Sequence, residues 1–92
     1  MMQIEGKNFQ VTTQPLPVAT WVEIDPPGGF DGVLIKARST TAILLIKRLD
    51  TDTEYMTMPA GSSLSLKVAM DADNHFYMQS DIQTTVELMW VS

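Results

Sequence analysis

The residue types that most often carry chemistry are few in this sequence, and their spacing matches no catalytic pattern. The single histidine, His75, follows Asp73 and Asn74 at the start of a predicted strand. General acid–base catalysis or metal binding by this imidazole would need partner groups at matching spacing, which the sequence does not supply. Residues 61–65 (GSSLS) depart from the Gly-x-Ser-x-Gly pattern of a nucleophile elbow. The sequence therefore predicts no catalytic residue, no cofactor and no enzymatic activity.

Two short acidic clusters could supply oxygen ligands to a divalent cation. They comprise Asp50, Asp52 and Glu54 in the first cluster and Asp71, Asp73 and Asn74 in the second. Neither cluster continues as an EF-hand loop, because the central glycine and the closing glutamate are missing at the required offsets. Asp and Asn are also the common residues of tight turns between strands. We therefore interpret both clusters as solvated turns, with a divalent-ion site as the alternative.

Composition and charge exclude several classes of function. The 92 residues carry a net charge of −5 and include no cysteine, so disulfides and thiolate metal sites are excluded. No basic stripe is present to bind a phosphate backbone, which argues against a nucleic-acid partner. The mean hydropathy is +0.02, and the longest apolar run, residues 42–46, is far shorter than the roughly 20 residues of a membrane span. The first residues also lack the basic and apolar segments of a secretory signal.

Alternation of apolar and polar residues dominates the last third of the chain, residues 58–92. The residues of its apolar phase are Leu64, Leu66, Val68 and Met70, then Phe76 and Met78, then Val86, Leu88 and Trp90. A period of two is typical of strands that bury one face in a core. We expect these three strands to pair in sequence as a meander.

Five further segments have strand character, namely residues 7–14, 18–24, 33–38, 42–48 and 54–58. The apolar run after residue 41 fits either a buried strand or part of a helix, and its length and β-branched residues favour the strand. Pro15 and Pro17 should stop pairing or mark an edge. The sequence thus predicts a single all-β domain, a compact antiparallel β-sandwich or jelly-roll-like barrel of about eight short strands, with residues 1–6 as a flexible arm or a short edge strand. Jelly-roll and immunoglobulin-like strand orders both remain open.

Some large apolar side chains are left over once one face of each strand is assigned to the core. In the strand over residues 18–24, Val18, Val22 and Ile24 point inward and Trp21 outward. For the segment after residue 41, the outward pair is either Leu44 and Ile46 or Ile43 and Leu45. The predicted interface comprises Trp21, Leu44, Ile46, Met56, Met58, Met89 and Val91. A monomer rarely exposes so contiguous an apolar set, so we expect contact with another subunit or protein, with cover by loops as the alternative.

The end of the chain resembles the ends of small structural proteins of tailed bacteriophages. Three stretches carry the resemblance: residues 58–66 (MPAGSSLSL), 76–80 (FYMQS) and 84–90 (TTVELMW). In those proteins a strand that starts after a glycine is followed by an aromatic strand and a closing Thr-Val-Glu-Val-like strand. The proteins concerned are capsid decoration (cement) proteins and small β-sandwich modules of phage tails.

The resemblance implies a non-enzymatic virion protein that is assembled in the host cytoplasm. Such a protein stabilises the phage head by binding the major capsid protein and its own copies, and it forms a homo-oligomer such as a trimer. It needs neither nucleic acid nor membrane as a partner. The alternative is a receptor- or glycan-binding module of a phage tail or head fibre, in which Trp21 and Tyr77 stack on sugar rings.

We expect the protein to fold without metal, because both acidic clusters are incomplete as cation sites and cysteine is absent. Addition of EDTA should leave the midpoint of thermal unfolding unchanged when it is followed by circular dichroism. A large downward shift of that midpoint would show that acidic groups of the chain hold an ion after all.

Overall fold

The computed structural model describes residues 8–67 and 74–92, and these residues form eight β-strands and no helix. The strands are β1 (Phe9–Leu16), β2 (Val22–Ile24), β3 (Gly32–Ala37), β4 (Leu44–Lys47), β5 (Met56–Met58), β6 (Ser63–Leu66), β7 (Phe76–Ser80) and β8 (Thr84–Val91). The all-β class and the number of strands predicted from the alternation of apolar residues are confirmed. The apolar run after residue 41 is a strand, as its β-branched residues indicated.

Two antiparallel sheets of four strands make up a β-sandwich. The first sheet has the order β1-β8-β3-β6 and the second sheet the order β2-β7-β4-β5. Consecutive strands cross from one sheet to the other, except β4 and β5, which pair directly. This order is that of an eight-stranded jelly roll rather than of an immunoglobulin-like sandwich.

The predicted meander of the last three strands is wrong. β6 pairs with β3, β7 lies in the opposite sheet between β2 and β4, and β8 lies between β1 and β3. Alternation shows which face a strand buries, but both sheets of a sandwich bury a face in the same core. The pattern of a strand therefore does not identify its hydrogen-bonded neighbours.

The core lies between the two sheets and contains the inward residues of both. Its buried apolar residues are Leu16, Ile24, Val33, Ile35, Ala42, Leu44, Ile46, Met58, Phe76, Met78, Val86, Leu88 and Trp90. Trp90 of the first sheet is fully buried, and its ring centroid lies 6.4 Å from that of Phe76 in the second sheet. Trp90 Nε1 donates a hydrogen bond of 2.8 Å to Oγ1 of Thr12, so burial of the indole leaves its N–H paired.

The inward phase predicted for the last third is confirmed for Phe76, Met78, Val86, Leu88 and Trp90, all of which are buried. Leu64 and Leu66 are half-buried at the margin of the core, because β6 is an edge strand. Val68 and Met70 lie outside the described residues.

The strand predicted over residues 18–24 is shorter than expected. Only Val22–Ile24 forms a strand, whereas Val18 is 57% exposed and makes an isolated parallel bridge with Ser80. Ala19 has a φ of +52°, a left-handed conformation that interrupts extended backbone. The prediction that Val18 points into the core is therefore wrong, while Ile24 is buried and Val22 packs against the core.

Pro15 lies inside β1 and does not stop pairing. It is the Cα partner of Thr85, whose carbonyl accepts a hydrogen bond from the backbone N–H of Arg38 on the opposite side of β8. The backbone of Thr85 therefore faces β3, and the nitrogen of Pro15 points away from β8. β1 is an edge strand, so the missing N–H of Pro15 removes no hydrogen bond from the sheet.

Truncation of Leu88 should be far more destabilising than truncation of Leu66. Leu88 is 2% exposed in the centre of the first sheet, so Leu88→Ala should lower the free energy of unfolding by about 2–5 kcal/mol. Leu66→Ala, at the half-buried edge, should cost less than about 2 kcal/mol. Chemical denaturation followed by tryptophan fluorescence measures both values. Equal losses would contradict the difference in burial.

Candidate functional site

Three of the predicted interface residues lie in the core instead of on an outer face. The exposed fractions of Leu44, Ile46 and Met58 are 2%, 8% and 4%, and Leu44 and Met58 are Cα partners in the second sheet. The structure has the alternative phase for this segment, in which Ile43 and Leu45 point outward: Ile43 is exposed and Leu45 is half-buried. Sequence could not decide between the phases, since all five residues 42–46 are apolar. The placement of these three side chains on an outer face is therefore wrong.

Met56 is half exposed, but it opens into a cleft and not onto an outer face. It shares the phase of the buried Met58 in β5 and is the Cα partner of Ile46. The cleft lies between residues of β4, β5 and β7 in the second sheet and of β6 in the first sheet. Its lining residues are Ile46, Lys47, Arg48, Met56, Leu64, Leu66, Asn74 and Phe76.

An apolar strip crosses the outer face of the first sheet. The strip consists of Phe9, Val11, Leu34, Met89 and Val91. One row runs through consecutive Cα partners on three strands, from Val11 of β1 through Met89 of β8 to Leu34 of β3, and the next row pairs Phe9 with Val91. Phe9 and Val11 are more than half exposed, and the other three side chains are half-buried. Two of the predicted interface residues, Met89 and Val91, thus belong to a continuous apolar surface.

Charged side chains border the strip on one side. Glu87 lies in the row next to Met89, and its carboxylate contacts Lys36 at 3.5 Å and the Nε of Arg38 at 3.2 Å. Exposed ion pairs of this kind add little stability. They do compensate the negative charge beside the strip, in a chain whose net charge is −5.

An aromatic cluster of Trp21, Lys47 and Tyr55 occupies the outer face of the second sheet. The ammonium of Lys47 lies 4.3 Å from the centroid of the Trp21 ring, and the Trp21 and Tyr55 ring centroids are 6.2 Å apart. Trp21 is therefore on the outer side, as predicted. It is nevertheless half-buried against its own chain, so less of the indole is free for a partner than the sequence suggested.

The first acidic cluster forms an ordered turn beside this aromatic cluster. Lys47 Nζ donates to the carbonyls of Asp50 at 3.0 Å and Asp52 at 3.4 Å, and the side chain of Asp52 accepts the backbone N–H of Leu49 at 3.0 Å. These bonds are those of a turn, which favours the turn interpretation of this cluster. In the second cluster, Asp71 and Asp73 lie outside the described residues.

Pairing of β2 with β7 brings together a group that the sequence did not reveal. Nε2 of His75 lies 3.4 Å from Oε1 of Glu23, and the Tyr77 hydroxyl donates to the same oxygen at 3.2 Å. Ligand atoms of Glu23, Asp25 and His75 all lie within 4.8 Å of one another, within reach of one cation. Glu23 and Asp25 are exposed. The contacts of Glu23 with His75 and Tyr77 explain the arrangement as a network of polar side chains at the surface. The signal was absent from the sequence because Glu23 and His75 are distant along the chain.

The environment of Tyr77 changes its acidity. Desolvation of the phenol raises the pKa of Tyr77 above its usual value of about 10. The hydrogen bond to Glu23 and the negative charges of Glu23, Asp50 and Asp25 raise this pKa further, because they favour the neutral phenol. The folded state therefore holds this proton more tightly than the unfolded chain, and the resulting contribution to stability is lost as the pH rises above about 10.

Comparison of the chain with models of protein families gave no match, and comparison with curated proteins gave no match either. Within residues 8–67 and 74–92, no helix has the length and apolarity needed to cross a membrane. The fold and the surfaces just described are therefore the features of the molecule that bear on its function.

Replacement of Glu23 by Gln should lower the pKa of Tyr77, because it removes a negative charge and a charged hydrogen-bond acceptor from the phenol. An absorbance titration in a Tyr55→Phe background isolates Tyr77, since the chain has two tyrosines. Glu54→Gln, which alters a carboxylate outside this network, is the matched control and should leave the titration unchanged. An unaltered pKa in the Glu23→Gln variant would contradict the hydrogen bond.

Proposed function

We propose that this protein is a non-enzymatic structural protein of a phage virion, which decorates the capsid by binding major capsid subunits and its own copies. The observation that most supports the proposal is the apolar strip on the outer face of the first sheet. The jelly-roll order adds support of a coarser kind, because this architecture is common in viral capsid and lectin domains. The proposal also draws on the resemblance of the last third of the chain to decoration proteins.

The strip has the composition of a binding surface. It spans three adjacent strands, which in sheets lie about 4.8 Å apart, and contiguous apolar patches on the surface of small proteins often serve in binding. The ion pairs around Glu87 provide a polar border on one side, and protein interfaces commonly combine an apolar centre with a polar rim.

The backbone that carries the strip is also held in place by the sheet and the core. Met89 and Val91 belong to β8, which is hydrogen-bonded on both sides, to β1 and to β3. The adjacent inward residues Leu88 and Trp90 are fixed in the core. A surface that is already ordered loses little conformational entropy when a partner binds it. Such a surface suits a protein that must occupy many equivalent sites on a shell.

Quantitative mass spectrometry of virions from the phage that encodes this chain tests the proposal directly. Hundreds of copies per particle would support decoration of the head. A handful of copies would place the protein in the tail or portal, and its absence from particles would overturn the proposal.

A charge placed in the strip should abolish binding to the shell without unfolding the protein. Met89 is half-buried on the outer face, so Met89→Glu should retain the circular dichroism spectrum but sediment with undecorated shells at least about tenfold more weakly. Leu49→Glu introduces the same charge at an exposed apolar residue outside the strip and should bind normally. Equal binding of both variants would mean that the strip does not contact the capsid.

A receptor- or glycan-binding module of a phage tail or head fibre is the second candidate, and the aromatic cluster of the second sheet is the observation that favours it. Tyr55 is 55% exposed beside Trp21, and aromatic rings with polar neighbours can stack on sugars while donating hydrogen bonds. Glycan-array binding that is lost in Trp21→Ala and retained in Met89→Glu would support this candidate over decoration.

A further inference from the structure

The four edge strands of the sandwich differ in length and charge, and therefore in how readily they could pair with a strand of another chain. The second sheet ends in β2 and β5, with three residues each, and the first sheet ends in β6, with four. The remaining edge, β1, has eight residues and the sequence FQVTTQPL, without a charged side chain. Proteins usually protect long edges with charges, bulges or prolines to prevent association. In β1 the single such device is Pro15, next to the end of the strand.

The hydrogen bonds of the first sheet show which backbone groups of β1 face outward. Asn8 and Ser92 exchange both of their backbone hydrogen bonds, at 3.3 and 3.1 Å. Directly opposed residues of antiparallel strands alternate between hydrogen-bonded and non-hydrogen-bonded pairs. The even-numbered residues of β1 therefore bond to β8, and the N–H and C=O groups of Phe9, Val11 and Thr13 point away from the sheet. Pro15 is the next residue of this outward set, in agreement with the position deduced from Thr85.

We propose that β1 pairs with β1 of a second copy, antiparallel and about a two-fold axis that passes through Val11. In this register Val11 faces Val11 of the second copy, and Phe9 faces Thr13 in both directions. All three are outward residues, so each pair exchanges two hydrogen bonds and none of their backbone groups remains unpaired. An axis at Thr12 would instead place Phe9 opposite Pro15, which has no N–H to donate to the Phe9 carbonyl.

The side chains favour the same register. A two-fold axis perpendicular to the sheet keeps outer faces on one side, so the row of Val11, Met89 and Leu34 continues directly into the same row of the second copy. The contact also avoids like-charge repulsion between two chains of net charge −5, since β1 carries no charge. These features are self-complementary, which is why the occupant of this edge is a second copy and not an unrelated strand.

Association through β1 stops at two copies. The resulting eight-stranded sheet ends on both sides in the four-residue β6, so no long edge remains for further addition. The predicted state is therefore a dimer and differs from the trimer that the resemblance to decoration proteins implied. The inference rests on the self-association included in the proposed function and does not depend on the contact with the capsid.

Sedimentation velocity of the purified full chain tests the pairing, with Val11→Pro as the decisive variant. Because the Val11 N–H points away from β8, proline there removes two bonds of the dimer and none of the sheet. We expect a wild-type mass of twice 10.2 kDa and a dimer at least about tenfold weaker in Val11→Pro. Leu49→Gln, at an exposed apolar residue outside β1 and outside the strip, is the control and should dimerise normally. Should Val11→Pro fail to fold, Val11→Lys replaces it.

Hydrogen exchange provides a second, independent measurement. The amides of Val11 and Thr13 should exchange slowly in the dimer and rapidly on dilution, whereas those of Gln10 and Thr12 should remain slow at all concentrations. A monomer at millimolar concentration, a dimer unaffected by the Val11 variants, or fast exchange at Val11 in the dimer would each overturn the pairing. Loss of shell binding by Met89→Glu with an intact dimer would leave it standing, so this inference and the proposed function can fail separately.

Discussion

The closing strand β8 is the element on which the remaining structure depends. It pairs with β1 over eight residues and with β3 over six, and its inward side chains Val86, Leu88 and Trp90 are all buried. The indole of Trp90 reaches Phe76 of the opposite sheet and is anchored by its bond to Thr12 of β1. One strand thus connects two other strands of the first sheet, β1 and β3, and joins that sheet to the second. Without β8, β1 would have no partner among the described strands.

The same strand determines the outer surface, because a period of two couples its faces. Once Leu88 and Trp90 are fixed in the core, Glu87, Met89 and Val91 must face outward. The position of Met89 and Val91 on the outer face therefore follows from the requirement for a filled core. The apolar character of that face follows from the residue types at these outward positions. Core packing alone would accept polar residues at Met89 and Val91, and for this reason we propose that these apolar positions contact a partner.

Sequence predicted the fold class well and the surfaces less well, for reasons visible in single segments. Alternation gave the buried phase of β7 and β8 correctly, because Gln79, Thr85 and Glu87 mark the outward phase of these strands. It left the phase of β4 open, because residues 42–46 are all apolar. Alternation could not identify which strands pair, so the predicted meander was wrong. It also did not reveal that Phe9, Val11 and Leu34 lie beside Met89. The network of Glu23, His75 and Tyr77 was missed for the same reason, since β2–β7 pairing brings distant residues together.

The strip and the β1 edge become one surface if the chain pairs as we propose. The two-fold axis perpendicular to the sheet would place both strips on the same side, with Val11 of each copy at the centre. A dimer would then present two equivalent apolar patches in fixed relative orientation. When one patch binds a shell, the second is held at high effective concentration over the neighbouring site, so avidity exceeds the affinity of a single patch wherever the spacing allows both contacts. Self-association through an uncharged edge and binding through the face beside it would therefore reinforce each other, although each depends on different atoms of β1 and β8.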